Sequence, residues 1–127
     1  QEFKKFKSLI CVLGSAGGTR DKWKRPEMGR VAAEFCSKIV LTNEDPYDEN
    51  PAQILSEIKS GITSDKLLMT NEILDRREAI REALKFARAG EGVIITGKGA
   101  ERWIMESRKA KIPWDDRKVT REELEKL

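Results

Sequence analysis

The chain contains no histidine. That excludes Ser-His-Asp and Cys-His catalysis, and any zinc site with a histidine ligand. Cysteine is scarce: only Cys11 and Cys36 are present. Cys11 stands in an apolar run and Cys36 on the apolar side of an expected helix. Both are therefore expected to be buried thiols in a reducing, cytoplasmic compartment. No apolar run reaches the roughly 18–20 residues of a membrane-spanning helix, and the first residues carry no signal-peptide pattern. A membrane partner is not expected. A large excess of one charge is also lacking. Lys and Arg number 25 against 22 Asp and Glu, leaving +3, which is weak support for nucleic acid as a partner.

What is there suits one small α/β domain. The length of 127 residues is one domain's worth, with 37% charged and 39% hydrophobic residues. Apolar runs recur at regular spacing, which argues against disorder. The chain opens on Gln1 and soon enters its first strand, so it is expected to be a piece of a longer protein.

Ser8 to Leu13 is a continuous apolar run, the mark of a strand buried on both faces. Gly14, Gly17 and Gly18 follow as a flexible loop. Pro26 opens a helix whose inner face should hold Met28, Val31, Ala32, Phe35 and Cys36. Lys38 to Thr42 is a second buried strand. Pro51 opens a second helix with Ile54, Leu55 and Ile58 inward, ended by Gly61. Leu67 to Ile73 holds a third strand, with Leu67, Leu68 and Met69 as its apolar part. Asp75 and Glu78 form a capping box for a third helix, with Ile80, Ala83, Leu84 and Ala87 inward and Gly90 as its stop. Val93 to Thr96 is a fourth strand. Arg102 to Ile112 has the pattern of a hairpin. Thr120 and Glu123 form a capping box for a terminal helix, with Leu124 and Leu127 inward. This alternation predicts a mostly parallel sheet with helices on both faces, then a hairpin and a helix.

In such sheets ligands bind beyond the carboxyl ends of the strands. Three loops leave those ends: 14–25, 43–50 and 97–101. The first carries glycines and the cations Arg20, Lys22, Lys24 and Arg25, which suit a carboxylate or phosphate, or else form a solvated basic loop. The second carries Glu44, Asp45, Asp48 and Glu49. These could recognise an ammonium group or a divalent cation, or form a turn rich in capping residues. No EF-hand spacing is present. Gly92 to Gly99 (GVIITGKG) nearly matches a nucleotide P-loop. It fails because Gly99 replaces the Ser or Thr that binds magnesium, and because VIIT is strand, which cannot wrap a phosphate. Trp23, Trp103 and Trp114 are expected to pack at loop edges rather than stack on bases.

The order VLGSAGGTRDKWKRPEMG, IVLTNEDPYDENPAQI, DRREAIREALKFARAGEGVIITGKGAE and WDDRKVTREEL resembles the C-terminal domain of the Mur ligases. The subgroup that adds the third amino acid of the peptidoglycan stem is the most similar. The resemblance runs from Leu9 to Leu124. It implies a Rossmann-like third domain of a three-domain, ATP-dependent amide-forming ligase. ATP and magnesium would be held mainly by a central domain outside this chain, and UDP-MurNAc-dipeptide and a diamino acid would be the substrates. The N-terminal and central domains of the same ligase would be its partners. No catalytic residue and no metal ligand is then expected within 1–127, and the isolated domain should be inactive.

Position by position, the resemblance implies that Arg20 grips the α-carboxylate of the incoming amino acid. Gly97 and Glu101 would contact its far amino end. Glu44, Asp45, Pro46 and Tyr47 fall on the specificity motif, and Lys24 and Arg25 lie on the nucleotide side. Tyr47 departs from the pattern, standing where diaminopimelate-adding members carry an arginine. One hydroxyl cannot replace a bidentate guanidinium on a second carboxylate. Lysine or ornithine is therefore favoured over meso-diaminopimelate. Ala100 and Thr19 depart as well, standing for histidine and aspartate. The alternatives are a Mur-like ligase domain for another substrate and a stand-alone binding module.

Overall fold

Strand β1 (Ser8–Leu13) lies inside a four-stranded sheet, with β2 (Lys38–Leu41) on one side and β4 (Glu91–Ile95) on the other. A short strand, β3 (Thr70–Glu72), extends the sheet beyond β2. A computed structural model of the chain describes residues 6–15, 22–44, 49–96, 103–105 and 111–127. All three pairings in this sheet are parallel, with Cys11 opposite both Ile39 and Ile94. Side chains alternate across the sheet. Cys11, Leu13, Ile39 and Leu41 therefore enter one core cluster, and Ile10, Val12 and Val40 enter the other.

Helices α1 (Arg25–Phe35) and α2 (Pro51–Lys59) cover the first face, and α4 (Arg76–Phe86) covers the second. A single turn, α3 (Ser64–Leu67), precedes β3. A separate antiparallel hairpin joins β5 (Trp103–Met105) to β6 (Lys111–Pro113), and α5 (Asp116–Glu125) packs on α4. The expected parallel α/β architecture is thus present. Ile10, Ile39, Leu41, Leu55, Ile58 and Ile80 are all essentially inaccessible to solvent. Burial of each stabilises the fold by about 1.5–3 kcal/mol before the entropy of ordering is subtracted.

Local signals explain the helix starts. Asn50 accepts a hydrogen bond from the Ala52 amide at 2.9 Å and stands just before Pro51. Asp75 accepts from the Glu78 amide at 3.1 Å, as the capping box predicts. Helices α1 and α2 approach until their backbones touch. A Cβ on Gly29 would stand 2.0 Å from the Ile58 carbonyl oxygen, and one on Gly61 would stand 1.8 Å from that of Pro26.

Four expectations need correction. Cys11 and Cys36 are not separate thiols: they form a disulfide, with their Cα atoms 6.1 Å apart, so the cysteines give no ground for a reducing compartment. Cys11 points from β1 towards α1, and Cys36 is the residue that ends α1, so the crossover itself brings them within bonding range. On α1 the buried positions are Arg25, Gly29, Ala32 and Ala33; of the expected inner face Met28, Ala32 and Cys36 meet the core, while Val31 and Phe35 stay exposed. They border a groove of about 530 Å³ that also meets Cys11, Cys36 and Trp23. Leu67 to Met69 is not strand. Thr63 precedes the α3 turn, Leu68 is 86% exposed, and pairing with β2 begins only at Met69 and Thr70. The terminal helix begins before Thr120, because Asp115 takes the capping role and accepts from the Arg117 and Lys118 amides. Its inward side chains are Asp116, Val119 and Glu123, and Leu124 and Leu127 are exposed.

Glu123 is enclosed by Arg77 at 2.9 Å, Lys126 at 3.1 Å and Arg81 at 3.4 Å. The Arg77 hydrogen bond chiefly, with Lys126 and Arg81 adding to it, holds this carboxyl below its ordinary pKa. A carboxyl with a lowered folded-state pKa stabilises the fold above its unfolded pKa, about 4.3. That stabilisation disappears as pH falls through the lower folded value. Glu123→Gln is expected to lower the urea midpoint at neutral pH and to shrink the loss of stability on acidification. Urea melts at neutral and acid pH check this; an unchanged acid-side loss would refute it.

Candidate functional site at the carboxyl edge of the sheet

The carboxyl ends of β1, β2 and β4 are drawn together by short contacts. The Thr42 amide donates to the Leu13 carbonyl at 2.9 Å, and the Thr96 amide donates to the Val12 carbonyl at 3.0 Å. The buried Thr42 hydroxyl donates to the Leu74 carbonyl at 3.3 Å. Gly14 sits where the first two loops leave the sheet. A Cβ there would lie 2.4 Å from the Thr42 carbonyl oxygen and 3.4 Å from the Glu44 Cβ. Gly14 is thus required by the closeness of two loop roots, a more specific reason than flexibility.

Two arginines organise this edge. Each is the first residue of a helix, Arg25 of α1 and Arg76 of α4. A cation there opposes the helix dipole, so each requires anionic or carbonyl partners. Arg25 is fully buried. Its Nη1 and Nη2 donate to the two oxygens of Glu49 at 2.6 and 3.1 Å, and Nη1 also donates to Glu57 at 2.8 Å. The Glu49 hydrogen bond chiefly, helped by Glu57 and opposed by burial, raises the guanidinium's pKa above its ordinary value. Glu57 in turn accepts from the Gln53 amide group at 3.1 Å. Arg25 therefore ties the end of the first loop to the end of the second.

Arg76 ties the other ends. It is 3% exposed. Its Nε and Nη2 donate to the two oxygens of Asp116 at 2.9 and 2.7 Å, a forked pair. Nη1 donates to the Asn43 carbonyl at 3.0 Å and Nη2 to the Thr96 carbonyl at 2.8 Å. Asp116 also accepts from the Trp114 indole N–H at 2.6 Å. Residues 44–49 are thus held at one end by Arg76 and at the other by Arg25.

Of the site residues that the resemblance implies, Lys24, Arg25 and Glu44 lie within the described part, as does Glu49 of the acidic second loop. Lys24 is exposed, with its Nζ 5.3 Å from the centre of the equally exposed Trp23 ring. Arg25 is committed to Glu49 and Glu57, and Glu44 adjoins Gly14. Arg20, Asp45, Pro46, Tyr47, Gly97 and Glu101 lie outside the described residues. Arg76 and Asp116 were not among the residues expected from sequence. A basic residue at the first position of a capped helix was the signal available. Gly92 and the following VII belong to β4, so this stretch does not fit a phosphate-wrapping loop, as expected.

A parallel α/β domain with loop roots converging beyond β1, β2 and β4 has a Rossmann-like fold. The model of the family described as "Mur ligase, glutamate ligase domain" matches residues 1–99, and the chain belongs to that family. It is 48% identical over 118 residues to UDP-N-acetylmuramoyl-L-alanyl-D-glutamate–2,6-diaminopimelate ligase of Gloeobacter violaceus, covering 93% of this chain and 23% of the relative. Identity to the ligase of the same name from Nitrosomonas europaea is 43% over 119 residues, covering 94% of this chain and 22% of the relative. A solved structure of a ligase with that name superposes with a TM-score of 0.84 at 36% identity, covering 94% of this chain and 24% of that one. The chain therefore spans under a quarter of the length of these relatives.

Proposed function

We propose that the chain is the C-terminal, amino-acid-selecting domain of an ATP-dependent ligase of peptidoglycan biosynthesis. The ligase adds a diamino acid, as the third stem residue, to UDP-MurNAc-L-Ala-D-Glu. The observation that carries this reading is the 43% identity along 94% of the chain to a ligase named for that reaction. In the proposal Arg20 binds the α-carboxylate of the amino acid, and Gly97 and Glu101 receive its distal amine. Residues Glu44, Asp45, Pro46 and Tyr47 choose among diamino acids. Lys24 faces the nucleotide side, and Arg25 serves that side by fixing the loop around it. The contribution of these residues is to position the amine for attack on an activated carboxylate. ATP and magnesium would be held mainly by the part of the ligase outside this chain, since Gly92–Ile95, which opens the stretch resembling a P-loop, is strand. Those other domains are its partners, and the cytoplasm is its compartment.

The relatives' names support 2,6-diaminopimelate as the amino acid. A second reading rests on Tyr47, which supplies no cation for a second carboxylate and so favours lysine or ornithine. The ligase carrying this domain, given UDP-MurNAc-L-Ala-D-Glu, ATP and equal amounts of lysine, ornithine and meso-diaminopimelate, separates them by the mass of its product. Diaminopimelate incorporation upholds the reading from the relatives, and Tyr47→Arg then changes the preference little. Lysine or ornithine incorporation upholds the reading from Tyr47, and Tyr47→Arg then moves the product towards diaminopimelate. A product containing none of the three would refute the assignment.

A further inference from the structure

We propose that Arg76 is a positioning residue for amino-acid selection, setting the distance between the two loops that would hold the amino acid. The inference rests on the function proposed above. Its basis is the placement of one guanidinium on two loop roots. Asn43, whose carbonyl takes Nη1, immediately precedes Glu44–Tyr47. Thr96, whose carbonyl takes Nη2, immediately precedes Gly97–Glu101. Strands β2 and β4 are not neighbours, because β1 lies between them. Arg76 reaches across the end of β1 and joins them directly. Its rigid fork is held in plane by both oxygens of Asp116, which is itself fixed by the Trp114 indole and buried at the start of α5. A planar group with its rotamer locked by a carboxylate transmits position more faithfully than a flexible ammonium does.

The purely architectural alternative is that Arg76 only fastens α5 to α4. Arg77 provides the comparison. It makes the same inter-helix connection, to Glu122 at 2.8 Å and Glu123 at 2.9 Å. Among the described residues, no contact of Arg77 with a loop root accompanies it. Loss of the helix–helix link alone should therefore look like Arg77→Ala. Loss of loop spacing should look like Arg76→Lys, since lysine keeps the charge but has three donors on one atom, against four hydrogen bonds made from three spread nitrogens.

The test uses the full ligase that carries this domain, with lysine, ornithine and meso-diaminopimelate as substrates. Arg76→Lys is expected to raise KM for the preferred amino acid about tenfold or more, the loss of about 1.4 kcal/mol of binding. KM for ATP should stay within about twofold, and the preference among the three amino acids should narrow. Arg77→Ala is expected to lower Tm without altering either KM or the preference. Asp116→Asn, which keeps the side-chain shape but weakens the fork, should fall between wild type and Arg76→Lys. Should Arg76→Lys fail to fold, Asp116→Asn decides the matter by the same split in KM. Equal rises in KM for ATP and amino acid, or a lowered Tm with an unchanged amino-acid KM, would overturn the proposal. Backbone amide shifts of residues 1–127 give a readout independent of activity. Asp116→Asn should perturb residues 43–49 and 96–101 together, and Arg77→Ala neither. If the wild-type ligase uses no diamino acid, the functional reading fails, while the amide shifts still decide whether Arg76 couples the two roots.

Discussion

Arg25→Met is expected to cost about 3 kcal/mol of stability, the lower end of the range for removing one partner of a buried ion pair. The reasoning turns on what is left behind. Arg25 is wholly enclosed, whereas the side chains of Glu49 and Glu57 are 13% and 31% exposed. Without the guanidinium, Glu49 is a largely desolvated anion that has lost the charge and both hydrogen bonds of Arg25. Glu57 can recover some water, which is why the upper end of the range is not expected. The exposed arginine on the same helix marks the contrast. Arg30 pairs with Glu27 and Glu34, all more than half exposed. Solvent screens such pairs, so Arg30→Met should leave the urea midpoint almost unmoved. Urea denaturation of the two variants side by side checks the pair, and equal midpoints would refute the burial argument. In the ligase, Arg25→Met should also weaken amino-acid use, since Glu49 closes the loop that begins at Glu44.

Gly61→Ala is expected to be more damaging than its single methyl group suggests. The added Cβ would stand 1.8 Å from the Pro26 carbonyl oxygen and 2.6 Å from its carbonyl carbon. Both are backbone atoms at the start of α1, so no side-chain rotation relieves the clash. The helices must separate, and the expected cost is about 3 kcal/mol, the top of the usual range for overpacking. Gly90 provides the comparison. Its φ of +89° is strained for an alanine, but among the described residues a Cβ there meets only the Lys7 Cβ, at 3.6 Å. Gly90→Ala should cost about 1–2 kcal/mol, the left-handed penalty alone. Thermal melts should therefore rank Gly61→Ala below Gly90→Ala, and the reverse order would contradict the account. Because Pro26 adjoins Arg25, the Gly61 change should reach the binding edge too.

The strands and helices that sequence patterning can reveal are those whose cores are continuous. Ser8–Leu13 is such a case, as is the Ile54, Leu55 and Ile58 stripe, buried as expected. The patterning fails where a small residue faces a neighbouring backbone. On α1 the inward positions are Gly29, Ala32 and Ala33, chosen for closeness to α2, so the larger Val31 and Phe35 are displaced outward. It fails again at α5, where the Thr120 and Glu123 box lies inside the helix and Asp115, five residues earlier, takes the helix start. Leu68 and Met69 belong to a turn, since three apolar residues carry no period. At the candidate site, the places where chain leaves β1, β2 and β4 were legible because glycines and charges follow those strands in the sequence. Their anchorage was not legible. Arg76 meets Asp116 across 40 positions and Arg25 meets Glu49 across 24, separations at which no local spacing rule operates. The disulfide escaped for the same reason: only the completed crossover of α1 sets Cys36 beside Cys11.

The proposed selection of a diamino acid by this domain is tested by phosphate release from the full ligase, measured with ATP and UDP-MurNAc-L-Ala-D-Glu while the amino acid is varied. The account predicts release only when a diamino acid is supplied, with alanine, glycine and glutamate giving no more than the background. Release sustained by glutamate or alanine, or release indifferent to every amino acid, would contradict it.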